Sequence, residues 1–236
     1  MNKMINLSVV IPCYNEEKNL KTLISSIKSI LKKNKSIQFV LVNNGSTDNT
    51  KNLLNSIKNK NILKINIKDN IGYGHGIMSG VRRSTGKVIA WCHSDLQVKL
   101  KDVVSAYLSN TEQLTNNIVI VKGKRINRSL FDNFFTYLMS LVVNYLFHVN
   151  LSDINAQPKI FSKVFKKDIL KNYPKDFSLD LFFLLMANKK NLNVVEHPVI
   201  LYERKKGKAK GGGTLLGKIK LIVRTFNFIY KLKFNK

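Results

Sequence analysis

Val10-Ile11-Pro12-Cys13-Tyr14-Asn15-Glu16 passes from apolar to polar within one short run. The same change recurs at Val42-Asn43-Asn44-Gly45-Ser46-Thr47-Asp48 and at Ala90-Trp91-Cys92-His93-Ser94-Asp95-Leu96-Gln97. Each reads as a Val/Ile-rich strand that opens into polar residues at its carboxyl end. In a parallel sheet, ligands collect in the crevice outside those ends. One polar tip is ordinary loop chemistry, whereas three on one edge predict a pocket.

Outward from these tips, short apolar runs alternate with longer amphipathic stretches, the rhythm of βαβ units in a mainly parallel α/β sheet flanked by helices. Strands are predicted at Leu7 to Ile11, Phe39 to Val42, Ile62 to Ile67 and Val88 to Cys92. Glu16 to Leu31 carries Leu20, Leu23, Ile24, Ile27 and Ile30 at helical spacing, with Asn15 as N-cap. Further helices are expected from Asp48 and over Gly76 to Arg83. The second half is less regular, with strands at Ile118 to Val121, Pro158 to Phe161 and Val194 to Tyr202, and helices at Leu130 to Phe147, Leu179 to Ala187 and Leu215 to Leu232. No linker or repeat interrupts it, so a single folded domain is expected before the basic Lys/Gly cluster from Lys205 to Gly213.

The formal net charge is +26, from 40 Lys and Arg against 14 Asp and Glu. That admits three anionic partners: nucleic acid, an anionic membrane, or phosphorylated small molecules. Cys13 and Cys92 lie in apolar runs and are expected to be reduced, buried thiols, excluding a disulfide framework or a zinc site built from cysteines alone. The first strand begins with no charged-then-apolar leader ahead of it, and Phe134 to Val149 is shorter than the ~18 apolar residues of a membrane span. A cytoplasmic protein that does not cross the bilayer is expected.

His93, Asp95 and Gln97 sit at alternate positions, so an extended segment would aim imidazole, carboxylate and amide in one direction. That is a half-shell for a hard divalent ion completed by phosphate and water. A strand end with a capping Asp fits the spacing equally well. Asn70-Ile71-Gly72-Tyr73-Gly74-His75-Gly76 lacks the glycine spacing of a dinucleotide fingerprint, and its glycines are expected to permit close approach to a neighbouring strand or ligand.

Taken in order, these segments resemble the family 2 glycosyltransferases of GT-A fold, and within them the polyprenyl-phosphate-mannose and polyprenyl-phosphate-glucose synthases. Besides the three tips, the resemblance rests on Asn70-Ile71-Gly72, Asp153-Ile154-Asn155-Ala156-Gln157-Pro158-Lys159-Ile160-Phe161, His197-Pro198-Val199, and Arg204 with Gly207 and Lys210. It implies a GT-A domain over residues 1–213 and a basic amphipathic helix over 214–236. It also implies inverting transfer of a hexose from a UDP- or GDP-sugar. Pro12, Tyr14, Glu16, Asn43, Asn44, Ser46, His93 and Ser94 would then line the nucleotide-sugar pocket, with Asp95, Gln97 and His93 around Mn or Mg. Two positions depart from the family: Asn43-Asn44 stand where relatives usually carry two aspartates, and His93-Ser94-Asp95 where they carry Asp-x-Asp. An imidazole ligand tilts such a site from Mg toward Mn.

The basic segment resembles the family's phosphate loop, so Arg204, Lys208 and Lys210 are expected on donor or acceptor phosphates, with Arg125 and Arg128 on the opposite wall. A polyprenyl-phosphate acceptor would need no general base. A sugar hydroxyl, as in surface-polysaccharide or glycolipid assembly, would need one, and Asp180, then Asp153, are the candidates. A third reading is a non-catalytic basic protein that binds membrane or nucleic acid, although no nucleic-acid motif is visible. The terminal helix sets Leu215, Ile219, Ile222, Phe226 and Ile229 against Lys220, Arg224 and Lys231, which suits the inner face of an anionic membrane, the domain's own core or a homodimer.

Overall fold

The computed structural model describes residues 4–204 and 215–234. In chain order the elements are β1 (Leu7–Cys13), α1 (Glu17–Lys33), β2 (Ile37–Asn44), α2 (Thr50–Asn55), β3 (Ile62–Ile67), α3 (Tyr73–Arg83), β4 (Val88–Trp91), α4 (Leu100–Leu108), α5 (Thr111–Thr115), β5 (Val119–Ile126), α6 (Leu130–Phe147), β6 (Lys159–Ser162), α7 (Lys166–Ile169), α8 (Leu179–Lys189), β7 (Asn193–Ile200) and α9 (Leu215–Phe234). The seven strands form one sheet in the order β3-β2-β1-β4-β6-β5-β7. β6 runs antiparallel to β4 and β5, and the other pairings are parallel. This is the predicted α/β architecture.

Helices cover both faces, which is why β1 and β2 read as nearly continuous apolar runs. Leu7, Val9, Ile11 and Cys13 join the layer under α1 and α4, while Val10 joins the layer with Ile77, Met78 and Val81 of α3. On α1 the predicted stripe packs as expected, with Leu20, Leu23 and Ile27 buried. Each such side chain contributes about 1.5–3 kcal/mol through removal from water. β1 lies between β2 and β4, so the chain winds outward to β3 and resumes on the other side at β4. The carboxyl ends of β1 and β4 therefore flank a topological switch point, where α/β sheets hold their ligands.

Several boundaries differ from expectation. Asn15 has a positive φ of 53°, and Glu16 takes the N-cap position of α1. Asn15 instead ties two loops together, accepting from the Thr47 N–H at 2.8 Å. α4 and α5 occupy a stretch left unassigned from sequence. The expected apolar face of the terminal helix is split: Ile229 is buried beside α6, whereas Phe226 is exposed. Lys233 donates to the Leu146 carbonyl at 2.8 Å, so α9 packs on α6 rather than standing apart. Among the described residues no helix is long and apolar enough to cross a membrane.

Candidate active site at the carboxyl edge of the sheet

The tips of β1 and β2 are knitted together by hydrogen bonds. Ser46 Oγ accepts from the Asn15 N–H at 3.1 Å and donates to the Cys13 carbonyl at 3.4 Å. Asn43 Oδ1 accepts from the Ser46 N–H at 3.1 Å, closing the turn after β2. Asp48 accepts from the Thr50 and Glu17 N–H groups at 2.9 and 3.2 Å. Burial acts to raise the Asp48 carboxyl, but these donors hold it below the usual carboxylate range. Pro12 and Tyr14 are half-buried beside this junction, and Ser94 is buried. Burial pushes the Cys13 thiol up to about 12, so it behaves as the inert apolar residue expected.

Glu16 is fixed by three contacts. Its N–H donates to Thr50 Oγ1 at 2.9 Å, Asn19 Nδ2 donates to Oε2 at 2.5 Å, and Arg204 donates to Oε1 at 2.7 Å. Arg204 also reaches within 3.9 Å of Asp95 Oδ2, so one guanidinium spans the carboxylates of two strand tips. Burial works against the ionised form of Asp95, yet His93, the Gln97 N–H and Arg204 together hold its carboxyl below the ordinary range. The structure thus brings Glu16, His93, Asp95 and Arg204 together.

Gln97 departs from the expected alternation. Leu96 has a positive φ of 65°, which ends the extended geometry after Asp95. The Gln97 N–H then caps Asp95 Oδ1 at 3.1 Å, and its side-chain amide donates to the Tyr202 carbonyl at 3.3 Å. Gln97 thus fastens the segment bearing Arg204. Lys208 and Lys210 lie outside the described residues.

Asn44 is 3% exposed; its Nδ2 donates to the Gly72 carbonyl at 3.1 Å, and its Oδ1 is buried without a hydrogen-bond partner in the protein. A side chain on Gly76 would collide with Asn44 at 2.8 Å, and one on Gly72, at φ +139°, with the Lys175 carbonyl at 2.3 Å. These glycines therefore serve close approach of α3 to β2 and to the loop before α8. An aspartate at position 44 would set oxygen against the Gly72 carbonyl. Asn44→Asp is expected to destabilise the fold by about 1–3 kcal/mol, measured by urea denaturation near neutral pH; unchanged stability would contradict this role for the amide.

The two candidate bases are both engaged. Asp180 is 2% exposed. Its Oδ1 faces Gln157 Nε2 at 2.9 Å, Trp91 Nε1 at 3.4 Å and Lys159 Nζ at 3.5 Å, and its Oδ2 accepts from Tyr73 at 3.4 Å. Asp153 receives the Arg125 N–H at 2.9 Å and the Arg125 guanidinium, with Arg128 at 3.6 Å. Despite burial, these arginines hold the Asp153 carboxyl low. Both carboxylates are held by donors and cations in this geometry. Sequence reading missed Tyr73, Trp91, Gln157 and Lys159 as a group. Lys159, a charge within the apolar run of β6, was the visible clue; burial drives its pKa down to about 8 despite nearby Asp180.

No cluster of three or more His, Cys, Asp or Glu among the described residues forms a ready-made metal cage. One ionised carboxylate with a nearby imidazole fits a divalent ion that completes its shell with substrate phosphates. The donor set is therefore compatible with Mn or Mg.

The carboxyl ends of β1 and β4 thus gather two carboxylates, an imidazole and a guanidinium on the ligand-binding edge of an α/β sheet. The Glycosyl transferase family 2 profile matches residues 8–182, and the chain belongs to that family. The chain is 27% identical to the undecaprenyl-phosphate 4-deoxy-4-formamido-L-arabinose transferase of Pectobacterium atrosepticum, over 87% of this chain and 62% of that protein. It is 26% identical to a dolichyl-phosphate beta-glucosyltransferase of Trichomonas vaginalis, over 89% and 70% of the two chains. Thus it spans 62% of the length of the bacterial relative. These names bear out the resemblance to the polyprenyl-phosphate branch. In fold, it is similar to glucosyl-3-phosphoglycerate synthase from Mycobacterium tuberculosis, solved with Mn2+, UDP and glucosyl-3-phosphoglycerate, at TM-score 0.70, 15% identity and 97% and 80% coverage. That enzyme was also solved with Mg2+ and UDP.

Proposed function

We propose that this chain transfers a hexose from a UDP- or GDP-sugar to a polyprenyl phosphate, with inversion at the anomeric carbon. The observation that carries this choice of acceptor is the engagement of Asp153 and Asp180 by cations and other donors. A hydroxyl acceptor needs a base, whereas a phosphate is already a nucleophile at neutral pH. Arg125 and Arg128, at the carboxyl end of β5 on the same sheet edge, suit its oxygens.

Asn44 Oδ1, buried and unpartnered, would accept an N–H or O–H from the donor's nucleoside, with Pro12, Tyr14, Glu16, Asn43 and Ser46 shaping that pocket. Asp95 and His93 would hold Mn or Mg, which when bound offsets the charge developing on the departing diphosphate. Arg204 would move from Glu16 onto a diphosphate oxygen as the sugar–oxygen bond breaks. The acceptor oxygen forms the new bond to the anomeric carbon from the opposite face, and the nucleoside diphosphate leaves.

Membrane association has its own support. α6 begins beside Arg128 and exposes Leu130 at 88%, Tyr145 at 80%, and Phe134, Tyr137, Leu138 and Leu141 to a lesser degree. Val223, Phe226 and Tyr230 of α9 add to the exposed apolar set, with exposed Arg224 and Lys231 on the same helix. We infer a peripheral position on the inner face of an anionic membrane, presenting Arg125 and Arg128 to lipid phosphates.

The test has two arms. UDP, GDP, CDP and dTDP are screened by thermal shift with and without Mn2+, where one uridine or guanosine nucleotide should raise the midpoint. Radiolabelled sugar should then pass to undecaprenyl phosphate in anionic vesicles. Transfer to a glycan hydroxyl but to no lipid phosphate would overturn the acceptor, and salt-sensitive polyanion binding without any transfer would overturn the enzyme reading.

A further inference from the structure

His93 stands where the family resemblance leads one to expect a carboxylate, and its ring has partners on both sides. Nε2 lies 2.9 Å from Tyr73 Oη, and Nδ1 lies 3.8 Å from Asp95 Oδ2. The second distance is too long for a hydrogen bond and of the order of the separation between two ligands of one cation. Whether Nδ1 can act as a ligand depends on where the ring carries its proton.

Tyr73 decides that question because it has a single hydroxyl proton and two neighbours able to take it: His93 Nε2 and Asp180 Oδ2, the latter at 3.4 Å. Gln157 Nε2 donates to the same oxygen at 3.1 Å, so the hydroxyl is already an acceptor once. Asp180 Oδ1 faces Trp91, Gln157 and Lys159, while Oδ2 faces Tyr73. Sending the Tyr73 proton to His93 would leave a buried carboxylate oxygen without that donor, a greater loss than turning an imidazole that can equally well donate. The consistent arrangement therefore runs one way, with His93 Nε2–H donating to Tyr73 Oη and Tyr73 Oη–H donating to Asp180.

We propose that Tyr73 and Asp180 are positioning residues that hold His93 in its Nε2–H tautomer, so that the Nδ1 lone pair is presented beside Asp95 as a ligand for the divalent cation. The buried carboxylate acts two hydrogen bonds away from the metal position, as outer-shell acceptors do for ligating histidines. The stacked pair Tyr73–Phe177, with ring centroids 4.6 Å apart, keeps the phenol in place. This inference rests on the metal-dependent reading above, and its tests are independent of sugar transfer.

The first readout is nitrogen-15 NMR of the metal-free chain at about pH 8, where an ordinary imidazole is neutral. His93 is assigned by its loss in His93→Gln. A pyridine-type Nδ1 and a protonated Nε2 are expected; a protonated Nδ1 would overturn the proposal. The second is Mn2+ affinity by electron paramagnetic resonance with UDP and with GDP. Tyr73→Phe retains the ring stack and should weaken Mn2+ about 10–100-fold; because it also strips buried Asp180 Oδ2 of its donor, it should lower the thermal midpoint by a few degrees while the chain stays folded. His93→Asp supplies a ligand that needs no tautomer, so adding Tyr73→Phe to it should change affinity less than about twofold. An equal Tyr73→Phe effect in both backgrounds, or none in wild type, would sink the inference, as would a wild-type chain that takes up no Mn2+ with either nucleotide. Correct tautomer and coupling without sugar transfer would instead leave this inference standing and overturn the proposed function.

Discussion

Asp95→Asn should reduce sugar transfer by at least about 100-fold while leaving a folded protein. The substitution keeps size and shape, and an amide oxygen can still accept the Gln97 N–H that Asp95 Oδ1 takes at 3.1 Å. It removes the negative charge facing His93 and Arg204, and with it the protein's anionic hold on a divalent ion beside the diphosphate. Losing one preorganised electrostatic element from such a site costs about 2.7–4 kcal/mol of barrier, or about 10²–10³ in rate. The folded state should lose about 1 kcal/mol, because a charge-assisted contact becomes a neutral one. Steady-state kinetics with and without Mn2+, beside urea denaturation, separates the two effects. If Asp95→Asn keeps wild-type kcat and its Mn2+ response, the cation is held elsewhere.

Asp95 was legible because it stands in the polar tip of an apolar run, as do Glu16 and Asn44. Strand tips are encoded locally, since hydrophobicity ends where the sheet ends, and the parallel order follows from the βαβ rhythm. Local spacing failed where a backbone detail intervened: the left-handed Leu96 turned Gln97 onto Tyr202, and the left-handed Asn15 moved the α1 cap to Glu16. The helices after Leu100 were readable in principle, because Leu100, Val103, Val104 and Tyr107 recur at helical spacing and are buried. The network around Asp180 was not readable, since it joins residues separated by 23, 89 and 107 positions in the chain. The same holds for the ion pair of Arg125 with Asp153, 28 positions away in the chain. Composition offered the charge but not its placement, and the burial of Lys122 and Lys159 appears only once β5 and β6 are paired.

Lys122 sets up the largest expected effect on stability. Its side chain, on β5, is 1% exposed, and its Nζ lies 2.9 Å from Glu196 Oε1 on β7, where Lys124 at 2.8 Å and the Ser152 hydroxyl complete the site. Burial alone lowers the Lys122 pKa, and Glu196 offsets part of that. Although burial opposes it, contacts with Lys124, Ser152 and Lys122 bring the Glu196 carboxyl from 4.5 down to about 2. A depressed carboxylate stabilises the fold fully above its unfolded value, and that stability is lost as pH falls through the folded one. The Glu196 contribution should therefore drain away between about pH 4.5 and 2; solvent screening of this partly exposed carboxylate keeps it below the about 3.4 kcal/mol that 1.36 kcal/mol per unit would give. Glu196→Gln leaves the Lys122 ammonium buried against a neutral amide and should cost about 2–3 kcal/mol near pH 7, less than for a fully buried pair because Glu196 is 28% exposed. It should also flatten the acid limb of the stability profile, since the variant has no such proton to take up. A loss below about 1 kcal/mol near pH 7, with an acid limb as steep as wild type, would mean that β5 and β7 are held together by their backbone ladder and not by this pair.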